Sequence, residues 1–243
     1  MRKRLALLGA LMVVIGLGFL IGAGVAYSKV SAGYDSLNAF SDEQNVTLTY
    51  NEDGDLIDRG TTEGADAIMS LLKDDYKYPV VDGDLDPDDP VINTASEYMY
   101  QMATIVYHTL HGEQNITLTE DDIAAAIASE RLGPDGTYNG VVEAYQGQVL
   151  EPGTYTVPVA ERYWTEFNRT DLLDGPAREG AWSGTAHALV AELSIGAVTA
   201  NVLQMGLGFA ALLGGLGLIF VALGVVVFWI DRELPKAEPA ESE

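Results

Sequence analysis

Four aspartates alternate with other residues in one short acidic loop. They are Asp82, Asp84, Asp86 and Asp88. Alternating carboxylates are the ligands with which EF-hand loops hold Ca²⁺, so this spacing predicts a calcium site. The loop departs from the EF-hand pattern, because Pro87 occupies the sixth position and Asn93 the twelfth, where Gly and Glu are expected. The alternative, which we favour, is a solvated acidic loop that binds no ion.

Two histidines lie one helical turn apart and could share a metal ion. They are His108 and His111, and a third ligand would have to come from Glu97, Glu113 or His187. The spacing matches neither the His-Glu-x-x-His pattern nor a Cys/His zinc pattern, so a solvated helix face is the favoured interpretation. The sequence also lacks a Gly-x-Ser-x-Gly motif, a phosphate-binding loop and a dinucleotide fingerprint. We therefore expect no enzymatic activity and no cofactor.

Three Asn-x-Thr sequons place Asn45, Asn115 and Asn168 as candidate glycosylation sites. If the host glycosylates exported proteins, these asparagines mark exposed positions. If it does not, the sequons carry no meaning, and the sequence leaves both outcomes open.

Two apolar runs, Leu5–Ala26 and Met205–Ile230, contain no charged side chain. Each is long enough to cross a hydrocarbon core as a helix, which takes roughly 20 residues. Arg2, Lys3 and Arg4 precede the first run and favour a cytoplasmic N-terminus. A cleaved signal peptide ending near Ala26 is the alternative, but the run of 22 residues is longer than a usual signal core.

These runs predict a membrane protein in which two transmembrane α-helices flank a mainly α (α+β) extracytoplasmic domain. The predicted organisation is a cytoplasmic N-terminus (1–4), a first span (5–27), an acidic outer domain (28–204), a second span (205–230) and a cytoplasmic tail (231–243).

Small residues recur at four-residue spacing in both runs, which predicts helix packing at Gly18, Gly22, Gly206 and Gly214. Glycine at this spacing lets helix backbones approach closely inside a bilayer. The contact could join the two helices to each other or to other integral membrane subunits. The alternative is that Gly is simply common in membrane helices.

The formal net charge of −23 resides in the outer domain, because the short N-terminus and the tail cancel each other. Such a surface repels phosphate groups, so nucleic acid is excluded as a partner. The excess is spread along the chain, which favours a high-salt habitat over a local functional patch. The absence of cysteine excludes disulfides and a lipid-modified N-terminal Cys.

Hydrophobic periodicity predicts a mainly helical outer domain with a few strands. In the clearest helix, 91–111, we place Glu97 on the polar face. Thr119 is expected to cap a helix together with Asp122. The predicted elements are a strand at 46–50, a turn at 51–54, helices at 62–72 and 91–111, a strand at 116–119, helices from 123 to 131 and from 160 to 168, an edge strand at 154–159, and a long helix at 177–203.

One segment occurs twice. Residues 43–49 recur as 113–119, identical except that Val46 is replaced by Ile116. The echo suggests a duplication or two equivalent strands that pair with each other, although coincidence in a Thr-rich chain is the alternative.

The C-terminal third has the most distinctive segments, which are 155–164, 174–179, 184–186 and 195–199. Together with 88–90 and 93–96, they resemble a group of small actinobacterial membrane proteins with a helix, an outer domain and a second helix. Some of those proteins carry the label aromatic ring-opening dioxygenase. Non-haem iron chemistry needs a facial set such as two His and one carboxylate, which three scattered histidines supply poorly, so we judge the label unsupported.

The sequence therefore predicts a non-catalytic accessory or structural subunit of a membrane or cell-envelope complex. Its partners would be other membrane subunits or a second copy, reached through the Gly-spaced helices within the bilayer. The alternative is an extracytoplasmic protein that binds or senses a ligand or divalent cation.

Overall fold

The computed structural model describes residues 2–233, with side chains from residue 4 onward. The side chains of Arg2 and Lys3 and most of the predicted tail thus lie outside the described residues. The described chain forms helices joined by loops and one two-stranded sheet. The helices are α1 (Arg2–Gln44), α2 (Thr62–Ser70), α3 (Ala95–Leu110), α4 (Glu120–Ala128), α5 (Asp174–Ala181) and α6 (Gly184–Glu233), and the strands are β1 (Glu113–Leu118) and β2 (Gly153–Pro158).

The chain divides into two compact units. The first, called the helix pair, comprises the described residues up to 45 and from 199 onward, which are α1 and the C-terminal part of α6. The second, called the central unit, comprises residues 46–198. The central unit is smaller than the outer domain expected at 28–204, because residues 28–45 and 199–204 belong to the two long helices.

Both long helices are long and apolar enough to cross a membrane. Only 11% of the most apolar stretch of each is buried within the structure, so neither resembles a core helix of a soluble domain. Large apolar side chains such as Val14 and Ile21 on α1, and Phe209 and Leu218 on α6, point outward. The prediction of two long apolar helices around a mainly helical unit is thus confirmed.

Local sequence explains where several helices of the central unit begin. Thr94 caps α3 in a reciprocal capping box with Glu97, and Thr119 caps α4 in the same way with Asp122. Thr61 caps α2 by accepting a hydrogen bond from the Gly64 amide. The predicted pairing of Thr119 with Asp122 is confirmed.

The central unit holds two groups of buried apolar side chains. One lies where α2 packs against α3, with Ile68, Leu72 and Ala103 fully buried. The other surrounds the sheet, where β1 and β2 pair antiparallel and α5 packs against β1. Its buried members are Leu118, Ala126, Leu132, Tyr138, Val142, Leu150, Val157, Leu172, Leu173 and Ala177.

Several predicted elements are wrong in detail. Residues 46–50 form only isolated bridges, at Thr47 with Val91 and at Tyr50 with Leu56, although the turn between them is present. Residues 160–168 form turns, and the predicted helix 177–203 breaks at Trp182 and Ser183. Helix α3 begins at Ala95, four residues later than predicted.

The two copies of the repeated segment do not pair with each other. The second copy forms β1, whose partner is β2. The first copy ends α1, turns at Asn45 with a positive φ of 48°, and donates from the Leu48 amide to the Pro90 carbonyl at 2.9 Å. Nearly identical sequences therefore adopt different structures, and the expectation of paired equivalent strands is wrong.

Candidate functional site

The four aspartates of the predicted calcium loop each have a different environment. Asp82 lies 3.4 Å from the Lys73 ammonium, and Asp84 accepts a 2.7 Å hydrogen bond from the Ser96 hydroxyl. Asp86 accepts a hydrogen bond from the backbone amide of Asp88. Among residues 2–233, no group of three or more His, Asp or Glu is placed to hold a metal ion. Calcium binding at this loop stays a prediction that the geometry does not strengthen.

Ser96 instead anchors the acidic loop to α3. The serine is buried, receives a hydrogen bond from the Val81 amide at 3.0 Å, and donates to Asp84. Hydrogen bonds at Val81 and Asp84 thus hold the acidic loop against α3. These contacts account for part of the loop's conformation without a bound ion.

The three histidines each contact a different side chain. Nε2 of His108 lies 3.0 Å from the Asp58 carboxylate, and both side chains are partly buried. His111 stacks on Tyr107 with ring centroids 4.0 Å apart. His187 packs edge-on against Trp164 at 5.2 Å. The structure therefore does not bring the predicted pair His108 and His111 to a shared ligand.

Glu97 is buried, contrary to its predicted place on a polar helix face. Its side chain is 1% exposed, and one carboxylate oxygen accepts hydrogen bonds from the amides of Asn93 and Thr94 and from the Thr94 hydroxyl. Burial raises the pKa of this carboxyl, while the hydrogen bonds oppose the rise. The Thr-x-x-Glu capping signature at 94–97 was the signal that could have revealed this role.

An open cleft of about 470 Å³ lies beside the turn at 51–54. Tyr50 and the carboxylates of Asp55 and Asp66 line it together with apolar side chains that include Leu56 and Met69. The lining includes acidic side chains and no Lys or Arg, so it would favour a cation with an apolar part.

Two buried tyrosine hydroxyls, those of Tyr50 and Tyr100, have no hydrogen-bond partner within the described residues. Burial raises the pKa of Tyr50 to about 12, with further contributions from the carboxylates of Glu97 and Asp86. Burial and the Asp58 carboxylate also raise the pKa of Tyr100. Both phenols therefore stay protonated at neutral pH and are available only as neutral hydrogen-bonding groups.

A network of buried carboxylates organises the chain around the start of α5. Asp174 is fully buried and forms an ion pair with Arg162 at 2.8 Å, while the Asn168 amide donates to it at 2.6 Å. The Arg162 guanidinium also lies 3.9 Å from the centre of the Phe167 ring. Sequence analysis missed this pair, because its members lie twelve positions apart and irregular chain connects them.

A second carboxylate, Asp171, extends the network. It accepts hydrogen bonds from the Tyr138 hydroxyl at 2.8 Å and from the amides of Leu173 and Asp174. Gly140 lies against it, and an added Cβ there would collide with the Asp171 carboxylate. Both oxygens of Asp171 and one oxygen of Asp174 accept hydrogen bonds, while the other oxygen of Asp174 meets Arg162 only as an ion pair. The two aspartates thus belong to one connected polar network.

Each sequon asparagine is exposed. Asn45 follows the last turn of α1, and Asn115 lies in β1, where it accepts a 2.9 Å hydrogen bond from the Thr156 hydroxyl. Asn168 accepts hydrogen bonds from the amide and hydroxyl of Thr170, the threonine of its own sequon. The positions are compatible with modification, and glycosylation itself stays a prediction.

The closest contacts of the helix pair occur at glycines other than most of those predicted. A Cβ on Gly16 would stand 2.7 Å from the Gly217 carbonyl oxygen, and one on Gly9 would stand 2.9 Å from that of Gly224. Residues with higher numbers in α1 meet residues with lower numbers in α6, so the two helices run antiparallel. Gly9 and Gly16 are seven residues apart, as are Gly217 and Gly224, which is the spacing of one heptad in a left-handed helix pair.

The four predicted packing glycines differ in their surroundings. An added Cβ on Gly206 would stand 2.7 Å from Val30, and those on Gly22 and Gly214 would make ordinary contacts with the facing helix at 3.7 and 3.8 Å. Gly18 has nothing within 4 Å. Packing at these four positions stays a prediction, and the seven-residue spacing of Gly9 with Gly16 and of Gly217 with Gly224 is the pattern that was missed.

Some glycines of the helix pair face outward and leave backbone open. Gly18, Gly24, Gly208 and Gly215 have nothing within 4 Å of an added Cβ. A shallow groove of about 320 Å³ runs beside Gly24 and is lined mostly by small residues. Its lining residues are Ala23, Gly24, Tyr27, Leu207, Ala210 and Ala211.

No family model, no curated protein and no solved structure matches the chain. The resemblance to small actinobacterial membrane proteins thus stays a prediction.

Proposed function

We propose that this protein is a membrane-anchored, non-catalytic accessory subunit that acts by associating with another integral membrane subunit. In this proposal α1 and α6 both span the bilayer. The basic N-terminus and the tail are cytoplasmic, and the central unit is extracytoplasmic. The outward apolar surface of both helices and the basic residues in the first turn of α1 support this arrangement.

The observation that carries the proposal is the distribution of glycines on the helix pair. Gly9, Gly16, Gly217 and Gly224 already complete the contact between α1 and α6. The additional outward glycines therefore serve no contact within the pair. Because close backbone approach is how helices associate in lipid, the groove at Gly24 offers a place for a further transmembrane helix.

The described central unit supports a structural role as well. Its buried carboxylates are engaged with backbone amides, a tyrosine and an arginine, and its histidines are dispersed. This arrangement favours a rigid extracytoplasmic unit over a reaction centre.

A second candidate function is the binding of an organic cation in the cleft beside Tyr50. The favouring observation is the acidic lining of that cleft together with its apolar floor. Equilibrium dialysis with a radiolabelled polyamine would test it, with Asp66→Asn as the variant that should weaken binding.

Affinity purification in mild detergent tests the accessory-subunit proposal. The parent protein should retain one membrane protein in fixed stoichiometry, and Gly24→Leu should lose it because the leucine fills the groove. Val25→Leu, at an exposed neighbouring position, is the matched control and should retain the partner. Equal recovery of any partner with both variants, or no stoichiometric partner, would contradict the proposal.

The proposed topology has its own test. Protease added to intact cells should remove the region 28–204 and spare both termini. A tag near residue 140 that is reached only from the cytoplasm would contradict this orientation.

A further inference from the structure

One asparagine of the central unit is followed directly by a glycine. Among the asparagines of the chain this is true only of Asn139, which precedes Gly140. A glycine in this place leaves its backbone nitrogen unshielded, because it has no Cβ to block the approach of the preceding side chain. An asparagine side chain can then lose ammonia by reaction with that nitrogen, which is one reason why asparagine is thermolabile in proteins. The pair is therefore a candidate site of spontaneous modification.

The fold requires glycine at position 140. An added Cβ there would collide with the Asp171 carboxylate and with the ring of Tyr138. These two side chains are joined by a hydrogen bond of 2.8 Å from the Tyr138 hydroxyl. A larger residue at position 140 would shield the backbone nitrogen and slow the reaction, but it has no space. The packing around Asp171 thus keeps a reactive pair at the surface of the central unit.

The reacting groups of the pair are not held by other groups. Asn139 is exposed, and within residues 2–233 the single hydrogen bond of its side chain is a long one, 3.5 Å from Nδ2 to the Thr137 carbonyl. The Gly140 amide donates no hydrogen bond in the part of the chain that the structure describes. The Asn139 side chain is therefore able to turn toward a backbone nitrogen whose proton no acceptor holds.

The four Asp-Gly pairs of the chain provide a comparison, because an aspartate followed by glycine can close the same ring. Ring closure requires the glycine amide to give up its proton, so a hydrogen bond that holds this proton slows the reaction. In three of the four pairs the glycine amide already donates to a backbone carbonyl. These hydrogen bonds join Gly54 to Asn51 at 3.1 Å, Gly136 to Gly133 at 2.9 Å and Gly175 to Asp171 at 3.2 Å.

We propose that Asn139 is a site of spontaneous deamidation through a cyclic imide formed with Gly140. The Gly140 nitrogen attacks the side-chain carbonyl carbon of Asn139, and a new carbon–nitrogen bond forms. The bond from that carbon to the side-chain nitrogen breaks, and this nitrogen leaves as ammonia with the proton of the backbone amide. Water then opens the imide at either carbonyl, which gives aspartate or isoaspartate at position 139.

The isoaspartate product disturbs the surroundings of Asp171. Its main chain contains an additional methylene group between residues 139 and 140, and Gly140 already lies against the Asp171 carboxylate. The next residue, Val141, donates its amide to Asp171 at 3.2 Å. Both products also add a negative charge to a chain whose net charge is already −23. We therefore expect modified molecules to unfold more readily than unmodified ones.

Peptide mass spectrometry of the full-length protein tests the proposal. Protein from a host without N-glycosylation is incubated in detergent in mildly alkaline buffer and digested with trypsin, with unincubated protein as the baseline. Tryptic peptide 132–162 contains Asn139 as its only asparagine, and peptide 163–169 contains Asn168, which is exposed but precedes Arg169. We expect the first peptide to acquire the mass of its deamidated form several-fold faster than the second. Equal rates, or no mass gain at Asn139, would overturn the proposal.

The same incubation in urea shows whether the fold leaves the pair open. The rate at Asn139 in the folded protein should be within a few-fold of the rate in urea, and a much slower rate in the folded protein would contradict the proposal. Asn139→Gln should abolish the mass gain of peptide 132–162, because the longer side chain closes a less favourable ring. An equal gain in this variant would place the reaction at another residue.

Modified molecules separated by ion exchange measure the consequence for stability. Asn139→Asp is the matched control, since it carries the new charge on an unchanged main chain. We expect the isoaspartate form to unfold at a lower urea concentration than Asn139→Asp, and equal midpoints would refute the predicted disturbance around Asp171. The proposal depends neither on the membrane arrangement nor on a partner subunit, so its outcome and that of the groove variant Gly24→Leu are judged separately.

Discussion

The helix pair and the central unit are stabilised in opposite ways. In the helix pair, glycine backbones touch at Gly9 with Gly224 and at Gly16 with Gly217, and large apolar side chains point outward. In the central unit, the carboxylates of Asp174 and Glu97 are buried and held by several hydrogen bonds each. The helix pair is thus stabilised by close backbone packing, and the central unit by buried polar groups that hydrogen-bond to one another.

This difference indicates which substitutions each region tolerates. In the proposed bilayer the helix pair gains nothing from burying apolar surface against itself, so added volume at the contact is costly and an added charge has no partner. A water-exposed acidic unit tolerates changes of surface charge but not the loss of one partner of a buried ion pair. The predictions below separate these two sensitivities.

The largest expected effect is that of Asp174→Ala in the central unit. The variant leaves the partly buried Arg162 guanidinium unpaired and removes the acceptor of the Asn168 amide. Breaking a buried pair in this way costs about 3–5 kcal/mol of unfolding free energy. Urea unfolding followed by tryptophan fluorescence measures the loss, since Trp182 packs near the Arg162 backbone.

The control is Glu179→Gln, which removes the exposed partner of Arg178. Its effect should stay within about 0.5 kcal/mol, as for ordinary surface changes. Similar losses from both variants would show that burial does not distinguish the two ion pairs.

A smaller effect is expected for Gly16→Leu in the helix pair. Its Cβ would press on the Gly217 carbonyl, and overpacking of this kind costs about 1–3 kcal/mol. Gly18→Leu makes the same chemical change two residues away, where nothing lies within 4 Å. Thermal unfolding in detergent should therefore separate the two variants, and equal destabilisation would place the helix contact elsewhere.

The smallest effect concerns the pH dependence contributed by Glu97. Burial raises its pKa in the folded state above the ordinary value of 4.5. The folded state therefore binds this proton more tightly than the unfolded state, so the group stabilises the fold below its ordinary pKa and this contribution is lost as pH rises through the raised value. Glu97→Gln keeps an acceptor oxygen and cannot titrate.

Unfolding free energies of the parent and of Glu97→Gln, measured from pH 4 to pH 7, test this sign. The unfolding free energy of the parent minus that of Glu97→Gln should decrease as pH rises. A difference that stays constant with pH would show that the hydrogen bonds from Thr94 and Asn93 fully offset burial, and a difference that moves in favour of the parent would show that they outweigh it.

The sequence predicted the two long helices well, because an uncharged apolar run of more than 20 residues is typical of a helix. It also predicted β1, β2 and the capping pair Thr119 with Asp122, where local patterns and tertiary structure agree. It failed where distant residues decide. Nothing local marks Arg162 as the partner of Asp174, and residues 160–168 have a helical pattern but form turns that carry that ion pair.

The glycines of closest backbone approach were missed for a different reason. Four-residue and seven-residue spacings coexist in runs so rich in glycine, and only the antiparallel register of α1 against α6 decides which face is used. Glu97 was misplaced because a helical wheel treats every acidic residue as solvated, whereas its capping role draws it inward.

The repeated segment has a consequence for the order of folding. Residues 43–49 and 113–119 have nearly the same local preferences, yet the first ends a helix and the second forms a strand, so contacts outside each segment decide its conformation. At roughly 5–20 residues per second, β2 leaves the ribosome only after both copies have been synthesised. We therefore expect both copies to be able to pair with β2 in the nascent chain. The first copy is withdrawn from that competition only by ending α1 and by the hydrogen bond of Leu48 to Pro90, so early formation of these contacts protects the nascent chain from a strand-swapped, misfolded sheet.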